Sequence, residues 1–519
     1  MTAEAPRLDR RVAGRLLGVL APWVQNPLIL KELRGTLRTR RFFWAHFGTV
    51  LVLGGVLMIV CFQQSLDSTA PENIGRLLFQ ICVWSMGAAV VVILPSFSCT
   101  ALASEREKRT FELLVTTRMT PWQIVWGKFG AAMVYAFLFL VAVLPLVQIS
   151  FLFGGVSPLE VAAAFGGLLG LAAAVTAVSL GISSPFKGTR WPTSLTYAVV
   201  FFAIAPLAIA YLGNLFYNRR GFGSNWGLLA VELPAAAVAV LTSFFLILAT
   251  RAVKHPADNR ATALRLFFLG LAFLLPVGVL PELRAGWAGF GFRLQNEGFR
   301  ILLLGTLAFL LPWILLFSCE APVASRRSEA QAARWGRFPL VRLLAPGSAR
   351  GAGFAFLVSG LLLETILIAS EGLCPAVPFL ARLEGLCLAL SLAGFLCGAG
   401  FLLSTCLKPN MARAALFVWL GLSSSVPLCV QYFRDDAALT FSRKDLPPPA
   451  WVLPCISPGL AAASWMDRVD KGGSPVPQWR WWFGMPLDAW AGAIFATAGT
   501  AMALWGERRR RALLQRGRT

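Results

Sequence analysis

Residues 104–128 read SEREKRTFELLVTTRMTPWQIVWGK, and this stretch decides how the rest of the chain is read. It lies between two long apolar runs and falls into three parts. Glu105, Arg106, Glu107, Lys108 and Arg109 form a knot of mixed charge at the end of one apolar run. Phe111, Leu113, Leu114 and Val115 follow as a short apolar patch. Thr120-Pro121-Trp122-Gln123 then restarts a helix: Thr120 caps it, Pro121 suits its first position, and Gln123 reaches back as in a capping box. The pattern predicts a short surface helix, near 104–117, at the mouth of two membrane helices. By charge alone the knot is a solvated helix end. The ordered succession of knot, patch, capped restart and Lys128 favours a contact on which a partner pushes.

Composition agrees with a membrane setting. The 519 residues are 57% hydrophobic and only 14% charged, where a soluble domain has about a quarter. The mean hydropathy is +0.67. The first 20 residues are Arg-rich and lack an apolar core with a cleavage site, so no signal peptide is read there. A net charge of +22 raises the question of nucleic acid. The basic residues instead collect between apolar runs, as they do in cytoplasmic loops, and no nucleic-acid partner is expected.

Twelve apolar runs approach the roughly 20 residues that cross a bilayer. They lie near 42–62, 78–102, 122–152, 159–183, 192–213, 227–250, 264–281, 300–319, 352–371, 380–406, 412–433 and 486–505. Segments 1–41, 103–128, 184–191, 251–265, 320–351, 407–413 and the tail after 505 hold 34 of the 47 Lys and Arg. That bias predicts an all-α, multi-pass protein of the cytoplasmic membrane with both termini inside. The runs divide into a basic N-terminal region (1–41), a first six-helix half (42–250) and a second, diverged half (251–519). Each half has a long basic inner loop after its second run, 103–121 and 320–351. The largest outer segment, 434–485, is rich in Pro and Trp; Ser457-Pro458 predicts a short helix there, and Trp479, Trp481 and Trp482 suit an aromatic belt.

Asn26 to Arg41 predicts an interfacial helix capped by Asn26 and started by Pro27. Leu30, Leu33 and Leu37 line one side, and Arg34, Arg38 and Arg41 another. The lipid bilayer is its expected partner.

Taken together, Glu105-Arg106-Glu107, Glu112-Leu113-Leu114, Thr120-Pro121 and Ile124-Val125-Trp126-Gly127-Lys128 resemble the first cytoplasmic loop of the ABC-2 family of ABC transporter permeases. Thr110-Phe111 departs mildly from the family's usual Gly-Thr. The segment Asn26–Arg34 is similar to that family's amphipathic lead-in helix. The resemblance covers about the first quarter of the chain; the rest agrees only in layout. It implies a permease subunit of an exporter, served by a cytoplasmic ABC ATPase that binds ATP and Mg. The coupling contact then falls on Glu105, Arg106, Glu107, Lys108, Glu112, Leu113 and Leu114, with the interfacial helix beside it. The pore is formed either by one chain as a pseudo-dimer or with a second copy of the permease.

The chain carries no G-x-x-x-x-G-K-[ST], G-x-S-x-G or H-E-x-x-H, so no catalytic residues and no cofactor of its own are expected. His46 and His255 are far apart and no Cys cluster has metal-ligand spacing, so no metal is expected. Of ten Cys, eight fall in or beside apolar runs; Cys374 and Cys455 fall in outer loops and are a candidate disulfide. Glu364, inside Leu361–Ile368, is the acid placed deepest in a run. Charge in hydrocarbon is costly, so Glu364 either lines a substrate path or makes a structural bond between helices. Two rival readings remain open. An ion-coupled secondary transporter needs several paired ionisable groups at mid-membrane. A membrane glycosyltransferase using a lipid-linked sugar needs outer-loop acids, for which Asp435-Asp436 are the candidates.

Overall fold

The computed structural model describes residues 27–66, 71–107, 119–186, 190–206, 225–255, 258–287, 294–334, 339–373, 379–420, 481–482 and 485–516, with isolated residues in the stretches between 107 and 225. These residues are helical apart from turns and one two-residue strand pair, β1 (Trp481–Trp482) antiparallel to β2 (Met485–Pro486). The chain separates into two compact units, Met1–Lys254 and His255–Thr519.

In the first unit the elements run α1 (Pro27–Leu37), α2 (Arg40–Leu66), α3 (Pro71–Ser98), α4 (Thr100–Glu107), α5 (Pro121–Phe153), α6 (Pro158–Ser183), α7 (Arg190–Val199) and α8 (Asn225–Val253). In the second they run α9 (Thr262–Trp287), α10 (Leu294–Ser318), α11 (Arg326–Arg334), α12 (Pro339–Arg342), α13 (Ser348–Leu373), α14 (Phe379–Cys406), α15 (409–420) and α16 (Leu487–Arg516).

Seven helical spans among the described residues are long and apolar enough to cross a membrane. They are His46–Gln63, Ile74–Glu107, Pro121–Ser150, Pro158–Ser183, Ala235–Val253, Ser348–Ile368 and Arg382–Cys406. α9 and α10 carry shorter apolar stretches, Thr262–Leu274 and Gly305–Ser318. The expected eleventh run is described only to residue 420, and most of 434–485 and both Cys374 and Cys455 lie outside the described residues.

The expected fifth run, 192–213, is not one regular helix. α7 stops at Val199 and the chain continues as a π-turn, Val200–Ile204, in which the Ala205 N–H bonds back to the Val200 carbonyl. Pro206 follows. It has no N–H to give to the carbonyl four residues back, and its ring crowds that group, so a widened turn accommodates it.

The first core joins α3, α5 and α6 through Phe79, Val83, Met86, Phe139, Leu168 and Val175. Small residues set the closest approaches. A Cβ built on Gly75 of α3 would lie 2.2 Å from the Gly154 carbonyl. By contrast α2 buries only Leu53 and Leu57 fully in the core, with Val50, Val60 and Cys61 packed against it, and leaves Phe43, Trp44, Phe47, Leu51 and Met58 exposed. Such a surface is solvated by lipid rather than by protein.

In the second unit α14 crosses α16 closely. A Cβ on Gly398 would sit 2.2 Å from the Gly499 carbonyl, and one on Gly499 would meet the Phe395 backbone at 2.8 Å. A side chain has no room at either position, and small residues at a close crossing are the usual device of membrane helix pairs. Phe268, Trp313, Phe317 and Phe354 pack as an aromatic cluster, with Phe268 stacked on Trp313 at 4.6 Å between centroids.

Candidate functional site

The capped restart forms as its sequence dictates. The Thr120 N–H donates to Gln123 Oε1 at 2.9 Å, and the Gln123 N–H donates to Thr120 Oγ1 at 3.3 Å. This capping box satisfies two of the free donors at the start of α5. It also fixes the phase of the helix. Ile124 and Val125 turn into a small core with Leu28, Leu102, Phe129, Leu180, Leu246 and Val253. That core gathers the ends of α1, α4, α5, α6 and α8.

One turn further along α5, Lys128 projects into the same junction and is buried. Its Nζ donates to Glu32 Oε1 on α1 at 2.7 Å, to Glu105 Oε1 on α4 at 2.8 Å, and to the Ala101 carbonyl at 3.0 Å. A lone buried ammonium would cost several kcal/mol in desolvation. Two carboxylates and a carbonyl use all three of its donors and offset that cost. The result is a latch across three elements. Arg106 adds a fourth, donating from Nη2 to the Ala252 carbonyl at the C-terminus of α8, 3.1 Å away. A cation on the last turn of a helix also meets its dipole favourably.

The knot therefore has two sides. Glu105 and Arg106 point inward and are committed to the frame. Glu107 and Glu112 are exposed. Lys108, Leu113 and Leu114 lie outside the described residues. The expected single helix over 104–117 is corrected: α4 ends at Glu107, because Thr110 turns its N–H (3.0 Å) and its hydroxyl (3.3 Å) back onto the Glu105 carbonyl.

α1 starts at Pro27 as expected and ends at Leu37, before Arg38. Its packed side is not the Leu30, Leu33 and Leu37 stripe. Leu28 is buried and Ile29 presses on Gly130, where a Cβ would find Ile29 Cδ1 at 3.1 Å. Leu30 and Leu37 are exposed, Leu33 is half-buried, and Arg34 and Arg38 are exposed. Leu30 and Leu37 thus face away from the protein, as suits a helix with one apolar side toward lipid.

Glu364 is on α13 of the second unit and is exposed. His46 packs edge-on against Tyr135 and Phe139 at 5.3 Å. Among the described residues no group of His, Cys, Asp and Glu is gathered for a metal.

Sequence reasoning missed a second buried ion pair. In the second unit Arg265 of α9 is fully buried and donates from Nη2 to Glu320 Oε2 at 2.6 Å. Its Nη1 serves the Leu343 and Ala345 carbonyls, and the Gly347 N–H returns a bond to Glu320 Oε2 at 3.1 Å. The Phe317 and Phe354 rings lie 5.7 and 5.9 Å from the guanidinium. Asn259 caps α9, and Thr262 donates to the Leu344 carbonyl, so the helix start and the loop are already in register. Gly347, at φ +127°, makes the turn that brings the loop back. The signal in the sequence was a charge at the edge of each of two apolar runs. Glu320, like Glu105, follows an apolar run, 300–319 for one and 78–102 for the other.

Comparison of the chain with protein-family profiles, with curated proteins and with solved structures returns no match in any of the three.

Proposed function

We propose that this chain is the permease subunit of an ABC-type exporter of the ABC-2 kind, multi-pass in the cytoplasmic membrane, with both termini inside. Its twelve spans are arranged as two six-helix halves, and a separate ABC ATPase supplies the binding of ATP and Mg. The observation that carries this reading is the Lys128 latch. The two segments that resemble the family, the lead-in helix with Glu32 and the loop with Glu105, are tied to one side chain.

That geometry supports a coupling mechanism. The exposed acids Glu107 and Glu112 offer fixed charge to a docked ATPase. Movement of the knot pulls through Glu105 on α5 and α1, and through Arg106 on α8. Closure of the ATPase pair on ATP then tilts whole spans, provided that the contact differs in strength between two states. One chain forms the pore with its own second half, or with a second copy.

The experiment is purification of the full chain from its native membrane. The reading expects a stoichiometric P-loop ATPase in the complex and ATP hydrolysis by it. Isolation as a pure permease, with transport driven by an ion gradient, would overturn it.

A further inference from the structure

α16 spans 30 residues, about 45 Å at 1.5 Å per residue, where the hydrocarbon layer is about 30 Å thick. α16 is not among the seven apolar spans; its part up to Trp505 is the twelfth run expected from the sequence, 486–505, and residues 506–516 lie beyond that run. At the end of the run Leu504 and Trp505 are exposed, and Glu507-Arg508-Arg509-Arg510-Arg511 follow.

The acid in this run is occupied. Arg510 donates twice to Glu507, at 2.7 and 2.9 Å, and Arg511 once at 3.2 Å. The Arg510 guanidinium holds the Glu507 carboxyl below the usual carboxylate range, so the acid stays charged. Arg508 and Arg509 remain exposed. Arg509 reaches Cys406 Sγ at 2.9 Å, which brings the end of α14, and the exposed Lys408 just beyond it, to the same level. Arg510 also feels the Glu329 carboxylate on α11, and that acid is already bidentate with Arg350 at 3.1 and 2.9 Å. Arg326 and Arg334 are exposed on α11. The described acids of this rim are thus engaged, and Arg326, Arg334, Lys408, Arg508 and Arg509 leave it strongly positive.

We propose that this rim binds the phosphate headgroup of an anionic phospholipid in the leaflet where α16 leaves the bilayer. Charge complementarity selects the headgroup. Leu504 and Trp505, exposed beside it, offer apolar surface to the acyl chains at interfacial depth. A cluster of four or more Lys and Arg directly beyond a membrane helix is the arrangement that recruits anionic lipid. The proposal is independent of the ATPase contact, which uses other residues.

The test uses the full chain in neutral detergent with fluorescent phosphatidylglycerol, and phosphatidylethanolamine of the same chains as control. Each basic group near an anionic surface is worth roughly fivefold in affinity. The variant Lys408→Gln/Arg508→Gln/Arg509→Gln should therefore lose phosphatidylglycerol binding roughly a hundredfold. Lys408→Arg/Arg508→Lys/Arg509→Lys should stay near wild type. Both should melt as the native chain does, because all three side chains are exposed. Equal binding of the two lipids, or full phosphatidylglycerol binding by the Gln variant, would overturn the proposal. So would displacement of the lipid by inorganic phosphate, or a Gln variant that keeps the lipid and loses an acidic protein partner.

Discussion

Glu105 and Lys128 are joined at 2.8 Å, with the lysine side chain 1% exposed and the glutamate 15%. This pair, shared with Glu32, decides which acids of the knot belong to the frame and which face out. Removing the cation strips both carboxylates of the ammonium they share. Lys128→Met should therefore destabilise the first unit by about 3–5 kcal/mol, the usual cost of breaking a buried pair. Glu105→Gln should cost less, since Glu32 still holds the ammonium. Thermal unfolding in detergent checks both; a Lys128→Met chain as stable as wild type would contradict the latch.

The second unit should behave the same way at its own pair. Arg265→Leu strands Glu320 and should again cost about 3–5 kcal/mol. Arg265→Lys should rescue little, because one ammonium cannot reproduce a planar fork that reaches the Glu320 carboxylate and the Leu343, Ala345 and Gly347 carbonyls. Unfolding curves of the two variants should nearly coincide.

At the α14–α16 crossing, Gly398→Val places a side chain where a backbone carbonyl already stands 2.2 Å from the Cβ position. Helices must separate, and melting should drop by several degrees or the chain should fail to accumulate. Gly270→Ala on α9, with nothing within 4 Å, is the control and should be neutral or mildly stabilising. Equal behaviour of the two would mean that the crossing is looser than described.

Orientation is tested by labelling. A Cys introduced at Ser442 should react with an impermeant maleimide added outside the cell. One at Ala330, exposed on α11, should react only after lysis. Ala330 serves better than Ser328, which is buried and bonded to Ser325. The reverse pattern would invert the topology.

Much of the local structure was legible because its causes are local. Thr120 with Gln123, and Pro27 at a helix start, act within one turn. The latches were not legible. Lys128 meets a partner 96 residues away in sequence, and Arg265 one 55 away, and nothing in apolar periodicity encodes such pairings. The leucines of α1 were read as a side of an interfacial helix partnered by the bilayer, and Leu30 and Leu37 are exposed. In water an apolar stripe must turn into protein, whereas beside a bilayer lipid takes that place, so Leu28 is buried and Leu30 is not. The fifth run widens into a π-turn just before Pro206, a local change in backbone pairing that a hydropathy count does not see. Glu364 was singled out by depth along its run, while the buried charges proved to be at the ends of runs, where a short reach meets both core and carbonyls.

The central claim is that the outward acids of the knot carry the ATPase contact. The direct measurement is the affinity of the purified ATPase for the chain bearing Glu107→Lys/Glu112→Lys, read beside its melting temperature. Both residues are exposed, so the fold should persist. Losing a hot-spot contact costs about 2 kcal/mol or more, roughly thirtyfold in affinity, so binding should fall at least that far and stimulated ATP hydrolysis with it. Wild-type affinity and normal hydrolysis in a folded double variant would contradict the account and leave the knot as no more than the end of a helix.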